Sequence, residues 1–417
     1  MTDLLPVMPR YEAYKDSEVE WIGEIPVHWE VRPIKQFSRI YSGDAIINSA
    51  LNEDSEYEVF GGNGFMGYTN NFNVEGTNIV IGRVGAYCGN IRLIHDRKWI
   101  SDNALILSLK IENAYSFFAY LLWAVDLNKL NESNAQPLIT ATKILNVRIA
   151  CPPFDEQITI ANFLDRKTAK IDQAVAIKEK QIRLLKEHKQ ILIQNAMTKG
   201  LDPNVPMADS GVEWIGQIPA HWDVFSVKRI FRLVAEPSEK NNHHELLSIY
   251  TDIGVMPRKE LKEKGNKAST TDGYWLVQKG DFIVNKLLAW MGAIGLSDYK
   301  GVTSPAYDIL RPIRQIDGYF YHFLFRTKEF SVEMKKHSKG IMDMRLRLYF
   351  DKFGMLQVPF PPQKEQKSIV SHIQTQSAKI DQAITLQEQM IEKLKEYKAT
   401  LINAAVTGKI RVPDGRE

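Results

Sequence analysis

Apolar residues recur in a four-three rhythm over two long stretches of the chain. Positions 171, 175, 178, 182, 185, 189, 192 and 196 hold Ile, Val, Lys, Ile, Leu, Lys, Leu and Ala. A shift of 209 residues gives Ile380, Ile384, Gln387, Ile391, Leu394, Lys398, Leu401 and Ala405. Six positions of eight are apolar each time. Such spacing marks a coiled-coil seam, because about 3.5 residues per turn keeps a narrow stripe on one side of a helix. The residues between are mostly Lys, Glu and Gln, so each stripe needs one partner, and the other stripe is the simplest. Ile171, Val175, Ile182, Leu185 and Leu192 are therefore expected to meet Ile380, Ile384, Ile391, Leu394 and Leu401. The chain crosses a whole globular stretch before the second helix, which favours an antiparallel pair. At roughly 45 residues each helix would be about 65 Å long. Taken alone, the pattern fits a plain structural or oligomerising coiled coil equally well.

Shorter patterns flank both stripes in the same order. Asn78-Ile79-Val80-Ile81 and Phe282-Ile283-Val284 read as strands. Asn113 before Phe117, Tyr120, Leu121 and Ala124, and Asp317 before Phe320, Phe323 and Leu324, read as capped helices. Pro152-Pro153 and Pro361-Pro362 then stop the chain. Proline is tolerated at a helix start and not inside one, so each long helix should begin just after its pair. Two segments repeat almost literally. Glu20 to Val31 reads EWIGEIPVHWEV and Glu213 to Val224 reads EWIGQIPAHWDV, while Ala169 to Ala174 recurs unchanged as Ala378 to Ala383. A duplicated scaffold carrying two divergent inserts suits a reader of two unlike half-sites.

Composition narrows the classes. The 417 residues are 44% apolar and 25% charged with a net charge of +3, ordinary for a multidomain globular chain. That charge permits a nucleic-acid partner without requiring one. Cys88 and Cys151 cannot build a disulfide framework or a four-ligand zinc site, which points to a reducing cytoplasm. The first residues lack the pattern of a signal peptide. Phe117 to Val125, the longest apolar run, is too short to span a bilayer.

Catalytic motifs do not hold up. Cys151-Pro152-Pro153-Phe154 resembles the proline loop of amino-methyltransferases but has Cys151 where a polar acceptor is needed. Phe60-Gly61-Gly62-Asn63-Gly64 lacks the flanking βαβ pattern of a cofactor loop. No phosphate-binding P-loop is present, and His243-His244 has no further ligand at metal spacing. Neither a cofactor nor a metal is expected.

Binding chemistry remains. Gly62-Asn63-Gly64 reads as a tight turn, with Tyr68 close behind; a purely structural hairpin is an equal reading. Arg83 and Lys286 follow equivalent strands, as a phosphate contact in each insert would. Lys335, Lys336, Lys339, Arg345 and Arg347 form the densest basic stretch, read evenly as a DNA contact or a solvated face. Base readout would fall to Asn63, Asn103, Gln136 and Arg345.

With the duplication, the Pro-Pro-x-x-Glu-Gln junctions at 152–157 and 361–366 and the paired helices in view, the chain resembles the specificity subunit of a type I restriction-modification system over nearly its full length. The resemblance implies an α+β chain. Two α/β target-recognition domains, 1–150 and 201–358, would be separated by a long two-helix antiparallel coiled coil, 151–200 and 359–417, in an internal pseudo-two-fold repeat. It implies a non-catalytic reader of an asymmetric bipartite site in double-stranded DNA, the helices acting as a ruler for the unread gap. Two methyltransferase subunits that bind S-adenosylmethionine would dock on the helices and junctions, and translocating endonuclease subunits can join. The competing readings are a specificity chain for a fused methylase-endonuclease and a coiled-coil scaffold for protein partners.

Overall fold

The computed structural model describes residues 8–85, 87–110, 114–131, 137–260, 270–340 and 346–413. Its helices are α1 (Tyr115–Val125), α2 (Ala141–Asn146), α3 (Phe154–Lys199), α4 (Gly318–Leu324), α5 (Lys328–Lys336), α6 (Phe350–Phe353) and α7 (Gln363–Val406). Both long helices start directly after their Pro-Pro pairs and run for 46 and 44 residues. Thr140 caps α2, and Asp317 caps α4 by accepting from the Tyr319 amide. Asn113, the expected cap of α1, lies outside the described residues. No described helix is long and apolar enough to cross a membrane.

The chain divides into two compact units. Unit 1 comprises residues 1–179 and 388–417, and unit 2 residues 180–387. In unit 1 a four-stranded antiparallel sheet runs in the order Ser38–Ser42, Ala104–Leu109, Asn78–Gly82, Ile91–Ile94. The expected strand at Asn78 is buried at every position. Its core gathers Trp29, Ile79, Ile81, Phe117, Leu121 and Leu164 with Leu401 and Val406 from the end of α7.

In unit 2 the order is Phe231–Val234, Tyr307–Pro312, Phe282–Asn285, Ile294–Leu296. Phe231, Phe282, Phe325, Phe330 and Phe353, all nearly fully buried, form a chain of ring contacts below it. Each such ring contributes about 2 to 3 kcal/mol by leaving water. Asp281, 2% exposed, accepts from Nε and Nη2 along one edge of the Arg311 guanidinium at 2.8 and 2.9 Å. The corresponding positions of unit 1, 203 residues earlier, carry Asn78 and Ser108 joined at 2.6 Å. A neutral pair there needs no compensation for a buried charge.

The apolar stripes are the protected faces of the long helices. In α3, Ile171 and Ala196 are buried and the other six stripe positions are half-buried. In α7, Ile380, Ile384, Ile391, Leu401 and Ala405 are buried. Two of the lysines that interrupt the stripes, Lys398 and Lys189, have carboxylate acceptors. In unit 1 Lys398 reaches both oxygens of Asp172 at 2.7 Å. In unit 2 Lys189 reaches those of Asp381 at 2.8 and 2.7 Å. The two aspartates are the same letter of the repeated Ala-Lys-Ile-Asp-Gln-Ala segment.

Candidate nucleic-acid interface

The repeated Trp-His-Trp and Pro-Pro-x-x-Glu-Gln segments meet in each unit. Strand Glu30–Pro33 pairs with Arg148–Cys151, Glu30 facing Cys151, so the residues just before one strand lie beside the helix that follows the other. Glu156, in the first turn of α3, accepts from the Trp29 indole at 3.0 Å and the Tyr11 hydroxyl at 3.0 Å, and bonds His28 Nε2 at 2.7 Å. Burial, followed by the charge of Glu156, pushes the Tyr11 hydroxyl well above its ordinary pKa. In unit 2 Glu365 accepts from the Trp222 indole at 2.9 Å and bonds His221 Nε2 at 2.7 Å. Gln157 and Gln366 turn back to donate to the carbonyls of Pro152 and Pro361. A carboxylate at a helix N-terminus is also favoured by the helix dipole. These junctions fix the position of each sheet on its helix.

The reading candidates stand on loops carried by the sheets. Strands Tyr57–Gly61 and Gly64–Thr69 form a hairpin whose turn is Gly62-Asn63, with Asn63 exposed. Gly62 is required there, since a Cβ would lie 2.6 Å from the Asn103 carbonyl oxygen. Arg83 donates its backbone N–H to that same carbonyl at 3.0 Å, and its guanidinium lies 3.4 Å from Ser42 Oγ. Asn63, Arg83 and Asn103 are thus brought together, while Tyr68 packs edge-on against Phe65 along the hairpin.

Arg92, which sequence reasoning missed, lies 5.1 Å over the Phe60 ring and against Gly64. A cavity of about 1220 Å³ opens beside it, with Arg10, Asn63, Lys129 and Lys409 among its lining. The signal for Arg92 was only its position fourteen residues after Asn78, with no local motif to mark it.

In unit 2 Lys286 is engaged by Asp308 at 3.0 Å, so most of its charge is answered within the protein. Lys335 lies 4.8 Å over the Trp290 ring. Lys339 and Arg347, both exposed, exchange backbone hydrogen bonds at 3.0 and 2.9 Å. The neighbouring Leu348 N–H donates to the Lys286 carbonyl at 2.9 Å. Gln136 and Arg345 lie outside the described residues.

Arg326 was not foreseen. It donates to five carbonyl oxygens, those of Tyr250, Thr251, Asp252, Gly292 and Ile294, tying one hairpin turn to the loop before strand Ile294–Leu296. His244 bonds Glu239, and no cluster suited to hold a metal occurs among the described residues. Both cysteines are free and buried, and burial pushes the Cys151 thiol up to about 12.

Residues 26–185 match the type I restriction modification DNA specificity domain. The type I restriction enzyme EcoprrI specificity subunit of Escherichia coli is 27% identical over 38% of this chain and 40% of its own length. The MjaVIII specificity subunit of Methanocaldococcus jannaschii is 23% identical over 80% of this chain and 76% of its own. By sequence the chain is similar to type I specificity subunits. A solved structure concerned with complex assembly and conformational transition of the type I restriction-modification system shares the fold of this chain. Its TM-score is 0.66 at 12% identity, covering 92% of this chain and 98% of that one.

Proposed function

We propose that this type I specificity protein is the non-catalytic DNA reader of a restriction-modification complex. It recognises an asymmetric bipartite site in double-stranded DNA and carries methyltransferase subunits to it. Residues 1–150 and 201–358 act as the two target-recognition domains. Residues 151–200 and 359–417 form an antiparallel coiled coil within a pseudo-two-fold repeat, and its length sets the spacing of the two half-sites. The observation that carries this reading is a shared frame with unlike side chains. The sheets have the same strand order and the same Trp-to-Glu junction, yet Asn78 and Ser108 stand where Asp281 and Arg311 do.

The energetics favour such a division. One domain alone buries too little surface to select a site from a genome, whereas two that are linked gain in effective concentration. Phosphate contacts would fall to Arg83, Lys339 and Arg347, and base contacts to Asn63 and Asn103.

Exchanging residues 32–145 for those of another specificity subunit tests the reading. Methylome sequencing of cells expressing the chimaera with its methyltransferase should show one half-site changed and the other kept. An unchanged site would overturn the assignment. A protein-binding scaffold, the rival reading, would show no affinity for duplex DNA that falls steeply as salt rises.

A further inference from the structure

We infer that the loop Lys286–Gly292 enters a groove of duplex DNA and that its apolar tip, Leu287, Leu288 and Met291, discriminates between base sequences. This rests on the DNA-reading function proposed above and assigns it to particular side chains.

The loop is stiff. Asn285 receives no slack from its far end, since its N–H donates to the Ala293 carbonyl at 3.0 Å. The Asn285 side chain accepts from the Leu287 amide, the Met291 N–H donates to the Leu288 carbonyl at 2.9 Å, and the Trp290 indole donates to the Leu287 carbonyl at 3.1 Å. Gly292 closes the loop at φ 94°, and Arg326 holds its carbonyl. On this fixed frame Leu287 and Leu288 are 40% exposed and Met291 52% exposed. Three large apolar side chains held together on one rigid frame suit a binding surface.

The surroundings select the occupant. Lys339 and Arg347 stand exposed on the segment whose Leu348 N–H bonds the Lys286 carbonyl, and Lys335 lies over Trp290 at the side of the loop. Of the acids nearby, Asp308 is occupied by Lys286, and Asp252 shares Arg326 with the Gly292 carbonyl at the loop's closing end. An apolar tip flanked by cations complements a groove in which phosphates border thymine methyls and base edges.

An independent observation comes from unit 1. Three features of the frame recur 203 residues earlier: the Gly82 N–H donates to the Asn90 carbonyl at 2.9 Å, the Cys88 N–H to the Gly85 carbonyl at 3.0 Å, and Gly89 has φ 87°. The frame is repeated but the tip is not. Val84 and Gly85 stand at the positions of Leu287 and Leu288, and Tyr87, 51% exposed, at that of Trp290. One frame with two tips is what readers of unlike half-sites require.

The test uses the full chain with its methyltransferase subunits and a pool of duplexes with a randomised core. The unaltered protein should enrich a two-part sequence. The variant Leu287→Ser with Met291→Ser should lose enrichment of one part by about tenfold or more, with the other part and the salt dependence unchanged. Tyr87→Ser should lose the opposite part, whereas Arg347→Gln should weaken binding to all duplexes alike. If the double variant enriches both parts normally, or loses both together, the loop is not the reader, although the DNA-reading function stands. If the unaltered protein enriches nothing, that function itself falls.

Discussion

The indole of Trp222 donates to the Glu365 carboxylate at 2.9 Å, joining residues 143 positions apart. The same bond joins Trp29 to Glu156 in unit 1, where the carboxylate also serves Tyr11 and His28. Trp29 is wholly buried and Trp222 5% exposed, so each indole N–H depends on its carboxylate for a well-aligned acceptor. Glu365→Ala should therefore cost about 1 to 3 kcal/mol, and Glu156→Ala more, because the Tyr11 hydroxyl loses its acceptor as well. Thermal unfolding followed by tryptophan fluorescence measures this. Wild-type melting of both variants would mean that the junctions hold nothing together.

The Asp172 to Lys398 and Asp381 to Lys189 pairs lie at the rim of the apolar stripes. Each lysine is about one-third exposed and each aspartate more than half, so solvent screens them. Asp172→Asn should cost only about 0.5 kcal/mol. Asp172→Lys should cost more, and adding Lys398→Asp should return most of the loss. A double-mutant cycle with no coupling energy would show the pair to be incidental.

His322 makes unit 2 sensitive to acid. Burial, reinforced by the Arg326 charge and opposed by Asp298, pushes its imidazole down to about 4 from 6.5. The folded protein keeps it neutral while the unfolded chain protonates near 6.5. The stabilisation is therefore complete above pH 6.5 and is lost as pH falls towards 4, by at most roughly 1.4 kcal/mol per pH unit. Urea unfolding at neutral pH and near pH 5 should show the drop, and His322→Gln should reduce its slope. An identical slope in the variant would trace the acid sensitivity to other groups.

Gly408 closes α7 against the start of the chain. It has φ 73°, and a Cβ there would lie 2.4 Å from Pro26 Cδ and 3.0 Å from the Trp29 ring. Gly211, at φ 69°, faces open space. Gly408→Ala should cost about 2 to 4 kcal/mol and Gly211→Ala about 1. Equal melting temperatures for the two variants would mean that the helix end yields freely around the added methyl.

Local signals were legible in the sequence and distant ones were not. The eight-position stripes, the Pro-Pro starts at Phe154 and Gln363, the Asp317 cap and the turn at Asn63 are written within a few residues of one another. Glu156 and Glu365 were visible as letters of a junction, and Trp29 and Trp222 as letters of a repeat. What joins them is strand pairing between Glu30 and Cys151 and between Asp223 and Phe360, which no spacing encodes. Lys286 looked like a free cation for the same reason. Its acceptor, Asp308, is supplied by a strand 22 residues further on. Arg92 and Arg326 act through rings and carbonyls that carry no motif.

Periodic helices invite misalignment, because displacement by one heptad preserves apolar contact almost everywhere. Lys189 and Lys398, placed among the stripes, disfavour it here. A seven-residue slip would set Asp172 against Ile391 or Ala405 in unit 1, and Asp381 against Ile182 or Ala196 in unit 2, parting each aspartate from its lysine. Two modest, water-screened contacts thereby bias the pairing of the helical segments within each unit towards one register.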